Sequence, residues 1–211
     1  MCGRYRLTAK ERYLRDHFEL DEDPTWTPRW NIAPTQLVPI VRQKSISSGR
    51  SFDLVRWGLI PSWAKDASIA TKTINAMSET AADKPAFRDA LRLRRCLIPA
   101  NSFYEWQASG PKHKQPFSKS RGVLDTRIQP TLVVISLQNR RHAPMNVGDE
   151  GIWGCSQDCA GLNDIALSDC LEPFDAALMK KYPVSTRVNR PENDDHVCAQ
   201  EITVAATPTL F

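Results

Sequence analysis

Apolar and polar positions divide this chain into short blocks whose periods change from one to the next. Cys2–Leu7 reads as a first strand, followed by a helix from about Ala9 to Phe18. Thr8 with Glu11 three residues later matches a capping box for that helix. Pro24, Pro28 and Pro34 then hold the chain extended past Trp26, Trp30 and Asn31. Gln36–Arg42 and Phe52–Trp57 form two strands joined by the Ser47-Ser48-Gly49 turn. Gly58–Lys65 is a loop carrying Pro61 and Trp63, and Ala81–Leu93 is helical, with Pro85 near its first turn. Cys96–Pro99 and Phe103–Trp106 are short strands, and Ser109-Gly110-Pro111 is a turn. Asp175–Tyr182 reads as a helix and Ile202–Ala205 as a last strand. The expected architecture is α+β, one domain with a largely antiparallel, barrel-like β-sheet and flanking helices.

The middle departs from this pattern. Between Phe117 and Phe174 the sole aromatic is Trp153, and Gln138–Asp169 sustains neither period, although Thr131–Leu137 suits a strand. So long an irregular stretch marks a functional or disordered segment, or a shifted reading frame across Ser118–Asp169.

Bulk properties narrow the function classes. With 211 residues, 41% hydrophobic and 25% charged, the chain suits one globular domain, and no apolar run is long enough to span a membrane. The amino terminus lacks a secretory pattern, so a bacterial cytosolic or nucleoid-associated protein with six reduced cysteines is expected. A net charge of +4 suits a polyanionic partner, and Lys84, Arg88, Arg92, Arg94 and Arg95 concentrate basic charge near one helix. His142, Cys155, Cys159 and Cys170 could nominally ligate zinc, but their spacing lacks paired short knuckles, so no metal and no cofactor is expected.

The candidate chemistry begins at the second residue. Removal of Met1 would leave an α-amine and a thiol together on Cys2, both with nucleophilic forms accessible near neutral pH. The amine condenses with an aldehyde, and the thiol then closes a five-membered thiazolidine.

Four stretches accompany it: Met1–Tyr5, Arg29–Thr35 (RWNIAPT), Arg56–Asp66 (RWGLIPSWAKD), and the pair Ile74–Thr80 (INAMSET) with Pro99–Trp106 (PANSFYEW). In this order they closely resemble the SOS response-associated peptidase family, the abasic-site processing proteins. The resemblance runs from Met1 to about Phe117 and resumes from about Leu171 through Tyr182–Asn189. It implies a protein that traps the ring-opened aldehyde of an abasic site in single-stranded DNA as a thiazolidine cross-link. Carried over to this sequence, Cys2 is the nucleophile, Asn75 bonds near the cysteine backbone and the opened sugar, and Glu105 is the general acid/base. Arg4, Trp63 and Arg88 are the corresponding candidates for DNA contact. A monomer, acting without membrane or metal, is expected. Two other functions remain open: an amino-terminal-nucleophile peptidase acting on its own leader, and a non-catalytic DNA-binding remnant. The departures from the family pattern are Met77, where arginine is usual, and the lack of a Gly-Leu-Trp strand and a His-x-Arg-Met-Pro motif between Ser118 and Asp169.

Overall fold

In a computed structural model, residues 3–43, 49–111, 113–121, 129–135, 144–147, 177 and 179–204 are described. They form two sheets. The first has the order β11-β8-β7-β1-β2, built from Met179–Pro183, Lys114–Arg121, Ser102–Ala108, Tyr5–Leu7 and Arg29–Ile32. The second has the order β4-β3-β6-β9-β10-β5, built from Arg50–Arg56, Leu37–Gln43, Arg95–Ala100, Gln129–Ile135, Pro144–Val147 and Asn75–Ala76. Pairing is antiparallel except between β10 and β5. The mixed, mostly antiparallel architecture matches the expectation, although among the described residues neither sheet closes into a barrel.

Alternation along β7 divides the molecule. Phe103 packs against the larger core, which contains Tyr5, Leu7, Leu14, Phe18, Ile32, Trp57 and Leu97. Tyr104 turns to the opposite face and a smaller core with Tyr182, Val184, Val188 and Cys198, against which Trp30 and Trp106 pack. The segment after β11 is therefore a cover for the second face of the first sheet.

Several local expectations are corrected. The first helix, α1, spans Glu11–Phe18, and its N-cap is Lys10 without a side-chain bond. Thr8 instead donates its amide to Asn101 Oδ1 at 2.7 Å, and Glu11 Oε1 accepts from the Trp26 amide at 3.2 Å. Both capping residues are claimed by distant partners. The single helix expected over Ala81–Leu93 is two short ones, α2 (Ser78–Ala81) and α3 (Arg88–Leu93), separated around Pro85, which cannot donate an amide within a continuous helix. Helix over Asp175–Tyr182 gives way to strand at Met179–Pro183, because β8 offers an edge on which Tyr182 pairs with Ser118. No ladder forms at Ile202–Val204; that region contributes one bridge, Val184 to Glu201. Within 118–169, β9 overlaps the strand expected at Thr131–Leu137, whereas β10 is a short strand inside the stretch read as irregular.

Candidate functional site around the first strand

The start of β1 is where the expected site residues converge. Tyr5 pairs with Phe103 on β7, and the Tyr104 amide donates to the Arg4 carbonyl at 2.9 Å. Continuing that register sets Gly3 opposite Glu105. On its other side, the Tyr5 ring lies 5.7 Å from the Trp57 ring, and Trp57 Nε1 donates to the Ile74 carbonyl at 2.9 Å. Ile74 precedes Asn75 on β5, so one aromatic pair ties the first strand to the INA segment. Cys2 itself lies outside the described residues, as do His142, Cys155, Cys159 and Cys170.

Glu105 shares a face with Phe103 and is half-buried, with its carboxylate in an ion pair with Lys119 of β8. A groove of about 280 Å³ opens there, lined by Glu105, Trp106, Gln107, Phe117, Lys119 and Lys181. Sequence reasoning missed Lys119 and Lys181. Lysine at alternate positions of a strand is an ordinary surface pattern, and only the register of β7, β8 and β11 brings these two beside Glu105.

The loop before Asn75 needs one particular residue. Gly58 has φ +126°, and a Cβ there would stand 2.3 Å from the Ala70 carbonyl oxygen. Glycine alone combines that backbone conformation with so close an approach. The loop presents Trp63, 57% exposed, whose Nε1 donates to the Pro85 carbonyl at 3.5 Å. Pro85 lies three residues before Arg88, the first residue of α3. Arg88 is exposed and pairs with Asp89 at 3.2 Å.

Arg4 is held more tightly. Its Nη1 donates to Asn31 Oδ1 at 2.8 Å and to the Val188 carbonyl at 2.6 Å, with its guanidinium 5.8 Å from the Trp106 ring. Burial pulls the guanidinium pKa below its usual value. This arginine braces β1 against the cover segment, on the face opposite Glu105.

Asn31 and Asp194 add further fastenings between the cover and β2. Asn31, fully buried, directs Nδ2 at the carbonyls of Val188, Arg190 and Asn193, at 3.2, 3.0 and 2.7 Å. Asp194 accepts from the Trp30 and Asn31 amides at 2.5 and 2.8 Å and pairs with Arg29 at 2.5 Å. Thus β2, an edge strand, finds partners for its amides in a carboxylate. Among the described residues, no helix is long and apolar enough to cross a membrane, and no His, Cys, Asp and Glu cluster could hold a metal ion.

The model of the SOS response associated peptidase (SRAP) family matches residues 1–158. The chain belongs to the SRAP family. The matched span includes the whole first sheet apart from β11, and it runs through β9 and β10. Among SRAP relatives, the abasic site processing protein YoqW of Bacillus subtilis is 31% identical over 222 residues, spanning 92% of this chain and 96% of YoqW. YoaM of the same organism, also named an abasic site processing protein, is 32% identical with 92% and 95% coverage. The chicken abasic site processing protein HMCES is 32% identical over 139 residues, 56% of this chain and 41% of HMCES. A crystal structure from Bacteroides thetaiotaomicron shares the SRAP fold seen here, with TM-score 0.77 and 18% identity over 96% of this chain and all of that one.

Proposed function

We propose that this protein captures abasic sites in single-stranded DNA by forming a thiazolidine through Cys2 once Met1 has been removed. Membership of the SRAP family and the names of relatives spanning nearly the whole chain support a role at abasic sites. The observation that carries the residue-level reading is the register of β1 on β7, which sets Gly3 opposite Glu105. Gly3 directly follows Cys2 in the chain, and this adjacency supports assigning Glu105 to the chemistry of Cys2.

In this mechanism the ring-opened deoxyribose presents its aldehyde to the α-amine of Cys2. The nitrogen bonds to the aldehyde carbon, and the carbonyl oxygen leaves as water. The thiol sulfur then adds to the imine carbon, its proton passing to the nitrogen, and the five-membered ring closes. Glu105 moves protons during ring opening and dehydration. Asn75 hydrogen-bonds the opened sugar. Trp63 offers an exposed ring on which a base can stack, worth ~1–3 kcal/mol, and Arg88 exchanges Asp89 for a phosphate nearby. Arg4 contributes by holding β1 in register.

The deciding experiment incubates the protein with an oligonucleotide containing one abasic site and resolves the products on a denaturing gel. A shifted band is expected from wild type and not from Cys2→Ser, whose hydroxyl does not form the stable sulfur-containing ring. Intact mass should show Met1 absent from the cross-linking species. A wild-type band that persists unchanged in Cys2→Ser would overturn the mechanism.

A further inference from the structure

We propose that the groove beside Glu105 is a subsite for a backbone phosphate of single-stranded DNA, held between Lys119 and Lys181. The proposal rests on the single-strand reading given above and adds to it a specific anion contact.

Strand register supplies the argument. On the β8–β11 ladder Lys181 stands directly opposite Lys119, so both side chains share one face. Like charges directly opposed across an antiparallel pair repel. One of the two is answered by the Glu105 carboxylate, while Lys181 donates to the neutral Gln107 Oε1 at 2.8 Å. Two ammonium groups and one carboxylate leave the groove with a surplus positive charge, which a phosphodiester matches.

Both ammonium groups are also steered. Lys181 Nζ lies 4.3 Å from the Phe117 ring centroid, and Lys119 Nζ lies 5.8 Å from that of Phe103. An ammonium has three donors, and the bonds described use one on each, so donors remain for an anion between them. The groove volume of about 280 Å³ accommodates a phosphate with part of its sugar. A strand seated there would pass directly beside Glu105, with its neighbouring nucleotide at the carboxylate.

The test measures fluorescence anisotropy of an undamaged, labelled oligothymidylate across a salt series, with wild type, Lys181→Gln and Lys181→Arg. Lys181 is exposed, so the charge-removing variant is expected to fold, and thermal melting checks this. Loss of one phosphate contact should make the slope of log K against log salt shallower by about 0.7. The affinity advantage of wild type over Lys181→Gln should accordingly shrink by about 2.5-fold between about 50 and about 200 mM salt. Lys181→Arg should retain the wild-type slope. Equal slopes for wild type and a folded Lys181→Gln would overturn the proposal. Calorimetric binding of inorganic phosphate to wild type, with oligonucleotide affinity independent of Lys181, would make this a free-anion site and overturn it equally. Because the oligonucleotide carries no lesion, this result stands apart from the cross-linking assay. Wild type that binds through Lys181 but never cross-links would sink the capture mechanism and leave the phosphate subsite in place.

Discussion

Replacing Asn31 with alanine should loosen the attachment of the cover segment to the first sheet. The side chain is fully buried and makes four described hydrogen bonds: it accepts from Arg4 and donates to the carbonyls of Val188, Arg190 and Asn193. A bond to a charged partner contributes about 1.5–3 kcal/mol, and a neutral one about 0.5–1.5 kcal/mol. Two amide hydrogens shared among three carbonyls count as about two neutral bonds, and Arg4 keeps its bond to Val188. The expected loss is therefore roughly 3–5 kcal/mol, a large share of a typical ~5–15 kcal/mol total. Urea unfolding followed by tryptophan fluorescence measures it, with limited proteolysis reporting whether 184–201 becomes the first cleaved region. Asn31→Asp is the informative companion. It keeps the acceptor for Arg4 but turns a second oxygen toward three carbonyls, so it should not rescue stability. A loss below about 1 kcal/mol for Asn31→Ala, at an unchanged m-value, would refute the assignment of Asn31 as the main fastening.

Three further outcomes are expected. Glu105→Gln should slow cross-link formation by about 10²-fold or more while oligonucleotide binding persists, measured by gel time courses and anisotropy; wild-type rates would dismiss Glu105 as the proton carrier. Gly58→Ala forces a Cβ to within 2.3 Å of a backbone oxygen at φ +126°, so it should cost about 3 kcal/mol or more by thermal or urea unfolding; an unchanged melting temperature would show that the loop bearing Trp63 tolerates another path. Burial pushes the Cys96 thiol well above its ordinary value of 9.0, so its contribution is fully present below pH 9 and is lost as pH rises from there toward the folded-state value. Cys96→Ala should flatten that decline in a pH series of urea midpoints, and an equally steep decline in the variant would assign it to other groups.

What could be read from the sequence was whatever neighbouring residues decide. The β3–β4 pairing falls on the two arms expected as strands, with Ser47 and Ser48 of the expected turn outside the described residues, and β7 follows from Phe103, Tyr104 and Trp106 on alternating faces. The motif segments around Asn75 and Glu105 also come together at Tyr5 and Trp57. Long-range partners decided the rest. Thr8 and Glu11 carry a helix signal, but Asn101 and Trp26 take up both groups. Met179–Pro183 is a strand because the edge of β8 is available to it, which its own composition does not announce. Asn31 reads as one polar residue among aromatics, and its value comes from carbonyls more than 150 positions away. Lys119 beside Glu105 is invisible without the register of two strands.

The bond from Arg4 to Val188 joins residues 184 positions apart. During synthesis, the first strand emerges with its partners on β7 and in the cover still unmade. Local helices and the β3–β4 hairpin are free to form early, but Tyr104, Trp30 and Trp106 keep an apolar face open until the stretch around Val188 and Asp194 arrives. Closing a loop that long costs entropy before it returns any contact, which slows folding and prolongs the aggregation-prone stage. The same topology couples the two stretches: Arg4 of the first reaches its carbonyl partner only once the segment around Val188 has docked.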